Sequence, residues 1–256
     1  MPMRWDPAQY GRYANERNRA FLDLVARIGA TSPQHVVDIG CGPGYLTGLL
    51  AKRWPAARVE GIDSSSEMIA ETSSVSGVSF SVGDAADWRP PPGVDVIVSN
   101  AALQWVPDHQ SLMMQWAASL PRGGWLAVQV PGNFHAPAHI LMRALAESPP
   151  WRNQLGPLVD HHDWSGTPES YATALLGAGL VADVWETTYQ HVLAGADPVL
   201  EWLRGTALRP LLAELSPAEA TEFLSELAAQ LRQAYPVGQQ GTLLAFRRIF
   251  AVGHKP

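Results

Sequence analysis

The sequence predicts an α/β protein: a doubly wound, mostly parallel sheet of seven strands, with helices on both faces and a helical cap over one rim. Three observations predict it. Between Val36 and Val130, short β-branched runs alternate with segments of helical period, the pattern of βαβ units. Most of these runs end in an acid, Gly, Ser or Asn, residue types suited to the ligand-bearing C-terminal rim of a parallel sheet. Two later strand-like runs, residues 181–192 and 243–253, are separated by helical segments, which then stand over that rim.

Taken in order, strands are expected at residues 36–39, 58–62, 78–82, 94–99 and 125–130. Tyr45 to Leu50 carries apolar side chains at helical spacing, so the first strand leads through a glycine turn into a helix. Ser64-Ser65-Ser66-Glu67 ahead of Met68 offers an N-cap with an acid in the first turn. Residues 136–148 read as a helix with Pro137 in its first turn, stopped by Pro149 and Pro150. A loop rich in Pro, Gly and His runs on to about Pro168, followed by helices at 169–176, 198–215 and 217–235. The whole chain, 1–256, reads as one domain: lid helices in 1–30, a ligand-binding core in 33–132, and cap insertions in 134–165 and 197–240.

Composition narrows the function classes. No stretch approaches the ~18 unbroken apolar residues of a membrane span, and Met1 to Asp6 lacks the apolar core of a signal peptide. A single cysteine, Cys41, excludes an internal disulfide framework and suits a reducing cytoplasm. The formal net charge of −6 argues against a nucleic-acid surface. All the basic residues except Lys52 and Lys255 are arginine, the better fork for a carboxylate. An anionic substrate then has to be held by local arginines, because the field of the whole molecule does not attract it. Composition leaves the oligomeric state open.

The chemistry is carried by the stretch VVDIGCGPGYLTGLL, residues 36–50. Gly40, Gly42 and Gly44 nearly match a dinucleotide fingerprint, but the third glycine comes one residue early and Tyr45 takes its place. Asp38, two residues before the first glycine, suits a cationic ligand better than a diphosphate. S-adenosylmethionine carries an ammonium and a sulfonium and no phosphate. Asp63, with Ser64 and Met68 beside it, ends the second strand, where a carboxylate can accept from ribose hydroxyls. Asp84, followed by Ala85, ends the third and can accept from an adenine amino group. Asn100 to Trp105, including Gln104, follows the fourth strand beside the switch point, where a methyl group would be presented. Taken singly, each acid is also an ordinary strand-end cap, and the glycine turn also serves as a plain structural turn.

With these residues in view, the segment from Val36 to Val130 resembles the class I S-adenosylmethionine-dependent methyltransferases, whose fold is Rossmann-like. The wider chain resembles the trans-aconitate methyltransferase family. The pieces that carry the likeness are WDPAQYGRYANERNR, DIGCGPG, RWPAARVEGIDSSSEMIAE, SNAALQWVPDH, LAVQVPGN, VWETTYQH, ALRPLL and LLAFRRIFAV. The last three lie outside the generic core. The resemblance implies methyl transfer from S-adenosylmethionine to a carboxylate of a small polycarboxylic acid, giving a monomethyl ester. Alternatives are another carboxylate such as malonyl-acyl-carrier protein, a nicotinamide-dependent oxidoreductase, or a non-catalytic S-adenosylmethionine-binding module.

A carboxylate is already a nucleophile at neutral pH, so no general base is required, and the substrate residues are positioning ones. Tyr10, Tyr13 and Arg17 share one helical face and read as a lid, Tyr10 and Arg17 toward the cofactor and Tyr13 toward the substrate; a packing stripe is the other reading. Gln104, Trp105, Asn133 and His135 follow rim strands and are candidates for the transfer site, with Tyr189 and Arg209 as carboxylate partners. Arg247 and Arg248 are adjacent in a strand, so at most one serves a given pocket. Metal readings of residues 160–163 and of His135 with His139 are set aside: the first is a polar turn, and the second lacks the glutamate of a zinc helix and has Pro137 between its histidines. Cys41 reads as a small space-filler in the glycine turn.

Overall fold

The computed structural model describes residues 14–159 and 162–256, with residues 14–17, 73 and 74 described by their backbone alone. In chain order the elements are α1 (Ala14–Ala26), β1 (His35–Ile39), α2 (Thr47–Arg53), β2 (Arg58–Asp63), α3 (Ser66–Ala70), β3 (Ser79–Val82), β4 (Val96–Asn100), α4 (His109–Ser119) and β5 (Trp125–Pro131). There follow α5 (Pro137–Ala146), α6 (Arg152–Leu155), α7 (Pro168–Gly177), β6 (Val181–Leu193), α8 (Pro198–Arg204), α9 (Arg209–Ala213), α10 (Pro217–Ala234), β7 (Val237–Gly238) and β8 (Gly241–His254).

The strands form one sheet in the order β3-β2-β1-β4-β5-β8-β6, with the two-residue β7 paired to β8 as an added ribbon. β3, β2, β1, β4 and β5 run parallel, and β8 lies antiparallel between β5 and β6. Every residue of β1 is buried, as is the run Val96–Ser99 in β4, as expected of strands covered on both faces. The direction of winding reverses between β1 and β4, which opens a crevice at their C-terminal ends. Alternation then divides the core. Val37, Ile39, Ile97 and Val128 face one layer of helices, while Val36, Val96, Val98 and Ala127 face the other with Phe21 and Leu24 of α1.

A third apolar cluster fills the helices beyond the rim. It joins Met142 of α5, Trp151, Trp202 of α8 and Phe223, Leu227 and Leu231 of α10 to Leu244 and Phe246 of β8. The last α10 trio recurs every four residues and makes one stripe. The helix begins with a capping box: the Glu219 N–H donates to Ser216 Oγ, and the Ser216 N–H donates to the Glu219 carboxylate at 2.8 Å. Truncating Leu227 to Ala here is expected to cost about 2–5 kcal/mol.

The expected α/β architecture is present, with differences in detail. Residues 198–215 form two helices rather than one. Gly205 ends α8 as its C-cap, and α9 restarts at Arg209 with Pro210 in its first turn, where a missing N–H costs nothing. The expected loop before Pro168 contains α6 and a 3₁₀ turn at Gly156–Leu158. Among the described residues no helix is long and apolar enough to cross a membrane.

Candidate active site

The glycine turn is fixed by contacts beneath it. The Gly40 and Cys41 N–H groups both donate to Ile62 O, at 2.7 and 3.1 Å. Gly40 has φ +77°, and a Cβ there would stand 2.1 Å from that of Ala102; only glycine fits. Gly42, at φ +56°, differs: a Cβ there would meet nothing within 4 Å, and the residue lines a cavity of about 310 Å³. At this position the missing side chain leaves room for a ligand against the backbone.

Asp38 lies below this turn, buried, and lines the same cavity. Its carboxylate accepts from the Thr47 hydroxyl at 2.6 Å. Burial, partly offset by that hydrogen bond and reinforced by the charge of Asp63, pushes the carboxyl up to about 7. Cys41 beside it is also buried. Burial, then the negative charges of Asp38 and Asp63, push its thiol far above the ordinary range.

On the other side of the switch point, Asn100 ends β4 and Gln104 follows in a 3₁₀ turn. Both line the cavity. The Gln104 amide N–H donates to Ala101 O at 2.7 Å. Asn100 Oδ1 and Gln104 Oε1 are buried and have no hydrogen-bond partner among the described residues. Between them Ala101 is held at φ +56°, a conformation that costs a non-glycine residue roughly 1–2 kcal/mol. Buried acceptors without donors and a strained backbone on one cavity wall make this a candidate ligand site.

The cap closes the cavity with Met142, Arg143, Leu158, Trp202 and Leu211, and α1 contributes Phe21. The Tyr45 hydroxyl, on the same wall, donates to Asn18 Oδ1 at 2.9 Å and so ties the glycine turn to α1. His139 of α5 also lines the cavity. Burial and the nearby Arg143 hold its imidazole down at about 4, so it is neutral at physiological pH.

The predicted residues divide accordingly. Asp38, Gly40, Gly42, Asn100 and Gln104 share the cavity, with Trp105 half-exposed and the buried Asn133 on its wall. Asp63 ends β2, Ser64 follows it and Met68 lies in α3, all outside the cavity wall, with Asp84 and Ala85 just past the end of β3. The Asp63 carboxylate accepts from Gly42 N–H at 2.8 Å and Ser65 N–H at 2.9 Å, so part of its accepting capacity is committed to the turn; burial raises it above the usual range. Asp84 is exposed and accepts from the Ala86 N–H, as a capping acid does. Gly44, at φ +79°, packs against the Phe80 ring. Tyr10 and Tyr13 lie outside the described residues, as does the side chain of Arg17.

Three of the predicted substrate residues stand off the cavity wall. Tyr189 does not line the cavity: its hydroxyl donates to Asp23 Oδ2 of α1 at 2.6 Å, and its ring lies under Arg19. His135 precedes α5 and is 79% exposed, at 3.7 Å from Asp163, while His139 takes the cavity side. Arg209 opens α9, but its neighbours Ala207, Pro210 and Leu211 line the cavity and it does not. The structure also adds residues the sequence reading left unassigned. Arg248 is 3% exposed and lines the cavity, whereas Arg247 pairs with Glu186. Arg143 is a second cationic lining residue. The signal for Arg248 was its place between Phe246 and Phe250 on one face of a strand. Among the described residues no group of His, Cys, Asp and Glu has the arrangement of a metal site.

The chain is similar to known methyltransferases. Residues 12–183 match a family model described as a methyltransferase domain. The trans-aconitate 2-methyltransferase of Streptomyces avermitilis is 48% identical over 98% of this chain and 97% of its own. Among solved structures, the YcgJ protein of Bacillus subtilis covers 93% of this chain and 98% of its own with a TM-score of 0.60 at 16% identity. A phosphoethanolamine N-methyltransferase of Haemonchus contortus, solved with S-adenosylhomocysteine, covers 93% of this chain, which spans about half of that longer protein, with a TM-score of 0.54 at 17% identity.

Proposed function

The chain belongs to the trans-aconitate 2-methyltransferase family, and from that premise we propose that it transfers the methyl group of S-adenosylmethionine to a carboxylate of trans-aconitate. The products are a monomethyl ester and S-adenosylhomocysteine. The observation that carries the reading is the cavity wall of Asp38, Asn100 and Gln104. A buried acid with two orphaned acceptor oxygens suits a ligand that brings an ammonium donor. The open space at Gly42 suits a ligand lying against the turn, and Asp63 suits ribose hydroxyls at the end of β2.

When bound, S-adenosylmethionine supplies a methyl group on a positively charged sulfur, which a carboxylate oxygen displaces without a base. Residues of the chain then have three tasks. Asp38, Asn100 and Gln104 hold the cationic ligand, and the neutral His139 adds no competing positive charge. The cap residues Met142, Trp202 and Leu211 exclude water from the attacking carboxylate, whose hydration would slow it. The cavity walls would orient the two reactants toward each other, an effect that can remove about 7–11 kcal/mol of barrier. The reading also agrees with a cytoplasmic setting, where the lone Cys41 stays reduced.

The test is incubation with methyl-labelled S-adenosylmethionine and a panel of small carboxylic acids. Label recovered as a base-labile ester of trans-aconitate is the expected result. Label transferred to no carboxylic acid, with S-adenosylhomocysteine still binding, would overturn the proposal.

A further inference from the structure

Two arginines stand in the cavity wall, one from the sheet and one from the cap. Arg248 projects from β8 on the α1 side. Its Nη1 donates to Gln129 Oε1 at 3.2 Å, and its guanidinium lies 4.6 Å from the centre of the Phe246 ring. Arg143 projects from α5. Its Nη2 donates to Phe134 O at 2.7 Å, with the guanidinium 3.8 Å from the Phe134 ring centre. A hydrogen bond and a ring face thus help to orient each planar fork before any substrate arrives, which lowers the ordering cost of binding.

A single short segment, residues 131–134, registers both. Pro131 is paired with Arg248 in the β5–β8 ladder. The Asn133 side chain donates to Arg247 O and accepts from Arg247 N–H, both at 2.9 Å, which locks β8 at the residue before Arg248. Phe134 then supplies the carbonyl that receives Arg143. Among the described cavity-lining residues these two are the permanent cations, in a chain whose net charge is −6.

We propose that Arg248 and Arg143 each bind one carboxylate of the substrate and leave the third to accept the methyl group. The inference rests on the carboxyl-methyltransferase reading above and deepens it. Gripping the spectator carboxylates fixes orientation, whereas gripping the reacting one would stabilise the ground state and slow transfer. The site thereby selects a tricarboxylate over a dicarboxylate of similar size.

Calorimetry of trans-aconitate on protein saturated with S-adenosylhomocysteine tests this, alongside the three analogues in which one carboxylate is replaced by a primary amide. Arg248→Gln and Arg143→Gln are each expected to weaken trans-aconitate binding about tenfold to a hundredfold, with S-adenosylhomocysteine affinity unchanged. Lysine at either position recovers part of the loss, since it keeps the charge without the fork. Each Gln variant should bind one particular amide as tightly as the wild type binds that amide, because the lost partner is already absent. Arg143 is only half-buried, so its variant folds even where the Arg248 variant does not. Undiminished trans-aconitate binding by Arg143→Gln, or equal losses for trans-aconitate and all three amides, overturns the assignment. A wild-type protein that methylates no polycarboxylate overturns the proposed function itself, and that outcome is visible before any arginine is changed.

Discussion

Replacing Asp38 by Asn separates what the buried acid does to the fold from what it does for the ligand. Burial raises the carboxyl from its ordinary 3.8 to about 7, which amounts to about 4 kcal/mol of disfavoured ionisation in the folded state. Proton counting gives the sign. Between about pH 4 and pH 7 the folded protein keeps a proton that the unfolded chain has released, so this group's contribution to stability is greatest below about pH 4 and falls as pH rises to about 7. Asp38→Asn carries no such ionisation and is expected to exceed the wild type by up to about 4 kcal/mol at about pH 8, the difference vanishing near pH 4. For a cationic ligand the sign reverses. At about pH 6 only about a tenth of the wild-type carboxyls are ionised, so S-adenosylhomocysteine should bind about tenfold more weakly than at pH 8. The variant should bind weakly at both pH values, with no such slope. Urea unfolding at pH 5 and pH 8, with calorimetry from pH 6 to pH 8, measures both effects. A variant no more stable than the wild type at pH 8, or a wild-type Kd that is flat across this range, would refute the reasoning.

Gly40→Ala must clash with Ala102 and is expected to abolish folding, whereas Gly42→Ala should cost about 1 kcal/mol of stability yet lose most cofactor affinity; denaturation and calorimetry distinguish them. Asn100→Ala removes an acceptor that has no partner among the described residues, so stability should change by less than about 1 kcal/mol while the S-adenosylhomocysteine Kd rises about tenfold or more. Tyr189→Phe breaks the bond to Asp23 and should cost about 1 kcal/mol of stability with KM for trans-aconitate unchanged; a large rise in KM would restore Tyr189 to the substrate site. His139 is neutral, its imidazole held at about 4 by burial and by Arg143, so its contribution to stability is present above about pH 6.5 and lost as pH falls from there to about 4; His139→Gln should flatten this part of the acid-unfolding curve.

The sheet was legible because most of its parallel strands carry β-branched residues and end in an acid, Gly, Ser or Asn, and the candidate cofactor residues could be named because they sit at or just past strand ends in chain order. The cap was less so. In helix α9 a step of one residue rotates the side chain by about 100°, which is how Pro210 reaches the cavity and Arg209 does not. His135 and His139 would share a face only if the helix ran through both, and Pro137 starts it between them. The bond from Tyr189 was not legible because its partner, Asp23, is 166 residues away in sequence. Alternation with Phe246 and Phe250 puts Arg248 on their face of the strand, but which way that face turns required the register of β8 against β5.

Cys41 stands in the wall of a cavity proposed to receive a methylating agent. A thiolate there would be a better nucleophile than any carboxylate and would be consumed by self-alkylation. Burial and the two carboxylates nearby keep the sulfur protonated. The acids proposed to suit the site to a cation therefore also hold the soft nucleophile beside it in its unreactive, protonated form.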